Sequence, residues 1–139
     1  MSSQSCDLSI VIPASGGTEN LTELLPQIRT SLEQLFLVHE ILIVDDRSTE
    51  IIRKIVQQNR CVLLHPSSAG YGEAIMTGIR QSTGRHIIVM DADQAHPADF
   101  LQDLWAARNT ADVIVSSRYM EGGRAEMPGL RQLLSKLQT

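Results

Sequence analysis

Cysteine, lysine and long apolar runs are all scarce in this sequence. Its two cysteines, Cys6 and Cys61, form neither a C-x-x-C pair nor a spacing with histidine that suits zinc. We therefore expect no disulfide framework and no zinc site, and a reducing, cytoplasmic compartment is the default expectation. No apolar run approaches the roughly 18 residues that a membrane span needs. The N-terminus also lacks the basic and apolar regions of a signal peptide, so none is expected.

The charge balance argues against a nucleic-acid partner. The formal net charge is −4 and the pI is near 5.5, whereas nucleic-acid-binding domains carry a basic surface. Lys54 and Lys136 are the only lysines, so arginine supplies most of the positive charge. A length of 139 residues suits one globular domain, and we predict a single domain over residues 1–139.

Apolar runs alternate with segments of helical periodicity along the chain. This alternation predicts βαβ units and a parallel sheet with helices on both faces, an α/β fold. Within it, Asn20 and Glu23 could form a capping box, Ser48 is the predicted N-cap of the second helix, and Pro26 should kink the first helix or delay its start. The predicted strands are Leu8–Ile12, Ile41–Val44, Cys61–Leu64, Ile87–Met90 and Val113–Val115, and the last two predicted helices are Pro97–Arg108 and Leu130–Leu137.

Polar clusters follow the predicted strands. Ligands of open parallel sheets bind beyond the carboxyl ends of the strands, where the strand order reverses. We therefore expect these clusters to line one rim of the sheet. They are residues 13–17, Asp45-Asp46, residues 67–72, residues 91–93 and residues 116–118.

Asp91 and Asp93 follow the fourth predicted strand. On an extended chain their carboxylates would share a face and repel each other unless a cation lay between them. Oxygen ligands in small number suit Mg²⁺ or Mn²⁺, which complete their coordination with water and substrate phosphates. A strand cap followed by an Asx turn, with Pro97 opening the next helix, explains the same residues without a metal.

Taken together, the motifs resemble the inverting GT-A glycosyltransferases of family 2. Within that family the chain is similar to the branch that transfers a sugar from a nucleotide sugar to dolichyl or undecaprenyl phosphate. The resemblance runs in order over essentially the whole chain. It rests on Val11-Ile-Pro-Ala14, Glu19-Asn-Leu21, Ile43-Val-Asp-Asp46, Gly70-Tyr-Gly72 with Ala74 and Gly78, Met90-Asp-Ala-Asp93, His96-Pro97 and Ser117-Arg-Tyr119.

The resemblance implies a role for particular positions. It implies a GDP- or UDP-sugar donor, Mg²⁺ or Mn²⁺ as cofactor, and Asp93 and Arg118 as catalytic residues. The implied donor-nucleotide residues are Pro13, Ala14, Asp45, Asp46, Gly70, Asp91 and Ala92, the implied metal ligands are Asp91 and Asp93, and the implied contacts to the acceptor phosphate are Arg118, Arg131 and Ser135. For Arg131, a solvated surface charge is an equally good explanation.

The chain also departs from the family pattern. Ser15-Gly16-Gly17 stands where an aromatic residue and a carboxylate are usual, and Ala95 stands where this branch commonly has glutamine. Family members normally continue well beyond the length of this chain, so we expect a GT-A domain that lacks the C-terminal acceptor part. Peripheral association with the cytoplasmic face of a membrane and self-association are further expectations.

Two alternatives stay open. The first is a non-catalytic or degenerate GT-A-fold module that binds a nucleotide without turnover, which the changes at residues 15–17 and Ala95 favour. The second is a nucleotidyltransferase-like domain, since such enzymes also place metal carboxylates at strand ends. The nucleotidyltransferase hypothesis requires a basic, glycine-rich loop after the first strand. Ser15-Gly16-Gly17 has no arginine or lysine and so does not meet that requirement.

Overall fold

The computed structural model describes residues 5–14, 20–93 and 96–112. The chain divides into two compact units, with the boundary between Gln102 and Asp103. The first unit holds every described strand, and the second is described over residues 103–112. In chain order the elements are β1 (Leu8–Pro13), α1 (Leu21–Gln34), β2 (His39–Val44), α2 (Glu50–Gln58), β3 (Val62–Leu64), α3 (Tyr71–Gln81), β4 (His86–Val89) and α4 (Pro97–Ala106).

The four strands form one parallel sheet in the order β3-β2-β1-β4. β1 lies inside the sheet and all six of its residues are buried. It pairs with β2 on one side and β4 on the other, so that Val11 is level with both Leu42 and Val89. The predicted α/β fold with a parallel sheet is confirmed.

The strand order places helices on both faces of the sheet. The chain moves in one direction from β1 to β3 and then returns across β1 to β4. With the right-handed crossovers that such connections adopt, α1 and α2 lie on one face and α3 lies on the other. The reversal puts the topological switch point between β1 and β4.

Helix α3 packs closely on its face of the sheet. Its Ala74 joins Val11, Leu42 and Val44 in one buried cluster. At Gly78 a β-carbon would overlap the side chain of Val11. The small residues of α3 therefore serve helix packing at these two positions.

A group of polar residues covers the same face of the sheet at the end where the strands begin. Ser9 is fully buried, and its Oγ donates to Glu40 Oε1 at 2.6 Å and accepts from the backbone N–H of Gly84 at 2.8 Å. The N–H of Thr83 donates to the same Glu40 oxygen at 2.6 Å. These bonds fix the turn between α3 and β4 and so set the register in which β4 enters the sheet.

The predicted capping box and the predicted N-cap of the second helix are wrong. Asn20 does stand at the N-cap of α1, but it has helical backbone angles and its side chain makes no capping bond. The N-cap of α2 is Thr49, whose Oγ1 accepts from the N–H of Ile52 at 3.3 Å, and not Ser48. Ser48 instead has a φ of 50° and bonds to a neighbouring loop. α1 begins at Leu21 with Pro26 inside it, so Pro26 does not delay its start.

The C-terminal predictions are only partly covered by the described residues. α4 ends at Ala106, two residues before the predicted end, and Leu101 is its fully buried apolar residue. The predicted strand Val113–Val115 and the predicted helix Leu130–Leu137 lie outside the described ranges. Across the described ranges, no helix is both long and apolar enough to cross a membrane. The prediction of one domain over residues 1–139 stays a prediction.

Candidate nucleotide and metal site

The carboxyl ends of the four strands are joined by backbone hydrogen bonds just beyond the sheet. Met90 donates to the carbonyl of Val11 at 3.0 Å and Ala14 to that of Val44 at 2.9 Å. Asp45 donates to the carbonyl of Leu64 at 3.0 Å. The segments that follow β4, β1, β2 and β3 therefore lie side by side along one edge, as the sequence predicted.

The segment after β4 lies at the switch point. Asp91 is half-buried, Ala92 is 8 % exposed, and Asp93 is exposed. β4 ends at Val89, and residues 92 and 93 form a turn. Asp93 thus lies in a turn beyond the strand, and not on the extended chain from which a shared face of the two aspartates was argued. Their position at the edge beside β1 follows from the pairing of Val89 with Val11.

Asp91 is held by a residue from the neighbouring helix. The hydroxyl of Tyr71 donates to Asp91 Oδ1 at 2.7 Å. Tyr71 is the first residue of α3, and Gly70 before it has a φ of 126° and a ψ of 150°. Residues other than glycine strongly disfavour these backbone angles. Gly70 therefore allows the chain to turn into α3 with Tyr71 beside the aspartates.

The two aspartates after β2 differ in exposure. Asp45 is 2 % exposed, and its Oδ2 accepts from the backbone N–H of Ser48, three residues further on, at 3.2 Å. Asp46 is exposed. Asp45 therefore shapes the loop, whereas Asp46 presents a carboxylate to solvent at the rim.

A serine and a histidine tie the loops after β2 and β3 together. Ser48 Oγ lies 2.6 Å from His65 Nδ1, and the same nitrogen lies 3.3 Å from the carbonyl oxygen of Asp45. The φ of 50° at Ser48 turns its hydroxyl out of the capping position. The result is a fixed connection between the loop that carries Asp46 and the loop that leads to Gly70.

The structure covers most, but not all, of the predicted site residues. Pro13 and Ala14 are buried at the end of β1, beside the end of β2. Together with Asp45, Asp46, Gly70, Asp91, Ala92 and Asp93 they lie in the segments that follow the four strands. Arg118, Arg131 and Ser135 lie outside the described ranges. Their roles, and those of the covered residues, stay predictions.

Sequence reasoning missed three residues at this rim. Tyr71 was noted only as the middle of a glycine motif, although an exposed tyrosine at a helix start next to a strand end is a recognisable signal. Ser48 was predicted to be a cap, and no role was predicted for His65. Nothing in the spacing of Ser48 and His65 reveals that their loops meet, because that contact depends on the pairing of β2 with β3.

The metal-ligating side chains available at the rim decide whether a cation fits there. Among the residues that the structure describes, no three or more His, Cys, Asp or Glu side chains come together as a metal site. Asp91 and Asp93 alone would supply two carboxylates. Such a small hard-oxygen set suits Mg²⁺ or Mn²⁺, which are commonly held by one or two carboxylates together with water and substrate phosphates. The residues present therefore fit a metal that arrives with a diphosphate.

Comparison with known families assigns the chain to one of them. The family model described as Glycosyl transferase family 2 matches residues 9–133. The chain belongs to glycosyl transferase family 2. The resemblance drawn from the sequence motifs is confirmed.

Curated relatives fall in the branch that the motifs indicated. The chain is 33 % identical over 136 residues to a dolichol-phosphate mannosyltransferase of Pyrococcus furiosus. This alignment covers 93 % of the chain and 38 % of that protein. The chain is also 33 % identical over 138 residues to an undecaprenyl-phosphate 4-deoxy-4-formamido-L-arabinose transferase of Pseudomonas fluorescens, covering 94 % and 39 %. The chain thus spans less than half the length of these relatives.

Solved structures show the same fold at low sequence identity. A mycobacterial protein aligns with a TM-score of 0.63 at 20 % identity, covering 77 % of this chain and 38 % of that one. Glucosyl-3-phosphoglycerate synthase of Mycobacterium tuberculosis, solved with uridine diphosphate, aligns with a TM-score of 0.58 at 17 % identity, covering 96 % and 50 %. The chain shares the α/β fold of these two structures, and the predicted GT-A fold is confirmed.

Proposed function

We propose that this chain is the nucleotide-sugar-binding part of a metal-dependent inverting glycosyltransferase whose acceptor is a polyprenyl or dolichyl phosphate. One observation carries the proposal. The half-buried Asp91 and the exposed Asp93 follow β4 at the switch point of the sheet, next to the end of β1. Ligands of open α/β sheets bind in that crevice.

The donor nucleotide would lie along the rim from β2 to β4. Pro13 and Ala14 form its floor, because both are buried where β1 leaves the sheet. Asp46 is the exposed carboxylate of the β2 loop and is suited to accept hydrogen bonds from a base or ribose. Asp45 acts indirectly, since its carboxylate accepts from Ser48 and fixes the loop.

Asp91 and Asp93 would hold the cation and the diphosphate. When bound there, Mg²⁺ or Mn²⁺ neutralises negative charge that develops on the departing nucleoside diphosphate. Asp91 is oriented by the hydrogen bond that Tyr71 donates to its Oδ1. Preorganised groups of this kind stabilise a transition state without a cost of reorganisation at the moment of reaction.

Transfer requires one displacement at the anomeric carbon. A bond forms from an acceptor phosphate oxygen to that carbon, and the bond from the carbon to the nucleoside diphosphate oxygen breaks, with inversion. An acceptor phosphate is already anionic, so it needs no base to remove a proton. We assign the acceptor phosphate to Arg118, Arg131 and Ser135, because guanidinium groups form charge-assisted, often paired hydrogen bonds with phosphate. The polyprenyl-phosphate transferases among the relatives support this choice of acceptor.

A transfer assay separates this function from the binding-module alternative. The purified chain is incubated with radiolabelled GDP-mannose or a UDP-sugar, a short-chain polyprenyl phosphate and Mn²⁺. Labelled polyprenyl phosphate sugar supports the proposal, and omission of Mn²⁺ should abolish it. Nucleotide binding with no transfer favours the non-catalytic module, which the departures at Ser15-Gly16-Gly17 and Ala95 suggest. A chain that binds neither GDP nor UDP has neither function.

A further inference from the structure

The hydrogen bond between Tyr71 and Asp91 bears on which cation the rim can hold. The phenol hydroxyl donates to Asp91 Oδ1 at 2.7 Å, which is a well-formed hydrogen bond to a carboxylate. The two residues are twenty positions apart and belong to α3 and to the segment after β4. The bond therefore joins two elements at the switch point of the sheet.

Burial alone does not account for the position of Tyr71. Its side chain is 53 % exposed, although it belongs to the first turn of a helix that packs its small residues Ala74 and Gly78 on the sheet. A tyrosine that served the core would bury most of its ring. The position of Tyr71 depends instead on Gly70, whose φ of 126° starts the helix at this point.

A hydrogen bond to one oxygen of a carboxylate changes how that group can bind a cation. It fixes the orientation of the carboxylate, and such outer-shell bonds tune ligand geometry in metal sites. It also opposes chelation through both oxygens, because Oδ1 already accepts a hydrogen bond from Tyr71. Ca²⁺ readily uses two-oxygen chelation and large coordination numbers, whereas Mg²⁺ and Mn²⁺ are bound in compact octahedra with single-oxygen ligands.

We propose that Tyr71 is a positioning residue that presents Asp91 as a single-oxygen ligand and so makes the site prefer Mg²⁺ or Mn²⁺ over Ca²⁺. The inference rests on the proposed function, since it requires a cation that binds together with a nucleoside diphosphate. Tyr71 touches neither the cation nor the nucleotide in this account. It acts through the carboxylate of Asp91.

The test is the ion preference of Tyr71→Phe, which removes the hydroxyl and keeps the ring. UDP and GDP are titrated by calorimetry into wild type and variant with Mn²⁺, with Ca²⁺ and with no metal. We expect the affinity measured with Mn²⁺ to fall about 10-fold, the size typical for loss of an outer-shell bond to a metal ligand. The affinity measured with Ca²⁺ should fall less or rise, and the metal-free affinity should be unchanged.

Met76→Ala is the matched control, since Met76 is an exposed residue of the same helix at 43 % exposure. It should leave all three affinities as in wild type. The inference is overturned if Tyr71→Phe equals wild type with both ions, or if both ions lose affinity by the same factor, which is the signature of a general loosening. If wild type itself gains no nucleotide affinity from Mn²⁺, the proposed function fails first, and the inference falls with it.

Discussion

Gly78 of α3 lies directly against the side chain of Val11 in β1. An added β-carbon at Gly78 would overlap both methyl groups of that valine. Val11 is fully buried and pairs with β2 and with β4 at the same level. The closeness of this one contact therefore sets how near α3 approaches the middle of the sheet, and through α3 it sets the position of the rim residue Tyr71.

Gly78→Ala should destabilise the fold. The extra methyl group must displace Val11 or move the helix, and overpacking of this kind costs about 1–3 kcal/mol. Gly72→Ala is the control within the same helix, because a β-carbon there meets nothing within 4 Å. It should leave stability unchanged or raise it by up to about 1 kcal/mol. Urea denaturation of both variants measures the difference, and equal stabilities would show that α3 does not pack as described.

Loss of the imidazole at position 65 should weaken nucleotide binding. His65→Ala removes the bonds to Ser48 Oγ and to the carbonyl of Asp45, and so releases the loop that carries Asp46. We expect a loss of stability of at most about 1 kcal/mol and a lower affinity for GDP or UDP with Mn²⁺. Calorimetry measures the affinity.

His39→Ala provides the comparison for that variant. The His39 ring bonds to the carbonyl of Leu37 at 3.1 Å, and His39 begins β2, at the end of the strand away from the rim. Its loss should cost similar stability and leave nucleotide affinity unchanged. If the two histidine variants bind nucleotide equally well, the connection between the β2 and β3 loops has no part in the site.

Cys61 should react slowly with thiol reagents in the folded protein. Burial raises the pKa of the Cys61 thiol to about 11, and the neighbouring Arg29 guanidinium offsets part of that rise. The thiolate is the reactive form. In a Cys6→Ser background we expect Cys61 to react at least about 10-fold more slowly at pH 8 when folded than in denaturant. Equal rates in the two states would contradict a buried thiol.

The same pKa shift predicts a dependence of stability on pH. The folded state disfavours the Cys61 thiolate, so its folded pKa exceeds the ordinary value of 9.0. The stability that Cys61 contributes is therefore fully present below about pH 9 and is lost as the pH rises towards 11. Cys61→Ala should flatten the unfolding free energy over that interval relative to Cys6→Ser. An unchanged slope would count against the shift.

Much of the sheet was predictable from the sequence because its strands are continuous apolar runs. β1 and the last four residues of β2 are buried, and strands that are buried on both faces consist largely of Val, Ile and Leu. The rim followed from the same pattern, since each run ends at a polar cluster. Asp91 and Asp93 could be placed on that rim from fold rules alone, whereas their position beside the end of β1 depends on the strand order that the structure shows.

What the sequence did not predict depends on contacts between segments distant in the chain. Ser48 has the chemistry of an N-cap, yet its hydroxyl meets His65 and Thr49 caps the helix. Both residues suit a cap, and only the geometry of the β3 loop decides between them. The bond from Tyr71 to Asp91 likewise requires the return of the chain from β3 across β1 to β4.

The measurement that tests the central claim most directly is the affinity of GDP and UDP with and without Mn²⁺, in wild type and in Asp93→Asn. The account predicts that Mn²⁺ raises wild-type affinity at least about 10-fold, a gain of about 1.4 kcal/mol, and that Asp93→Asn removes the gain while the metal-free affinity stays the same. A wild-type affinity that is the same with and without the ion, or a gain that survives in Asp93→Asn, would contradict a metal site at the end of β4.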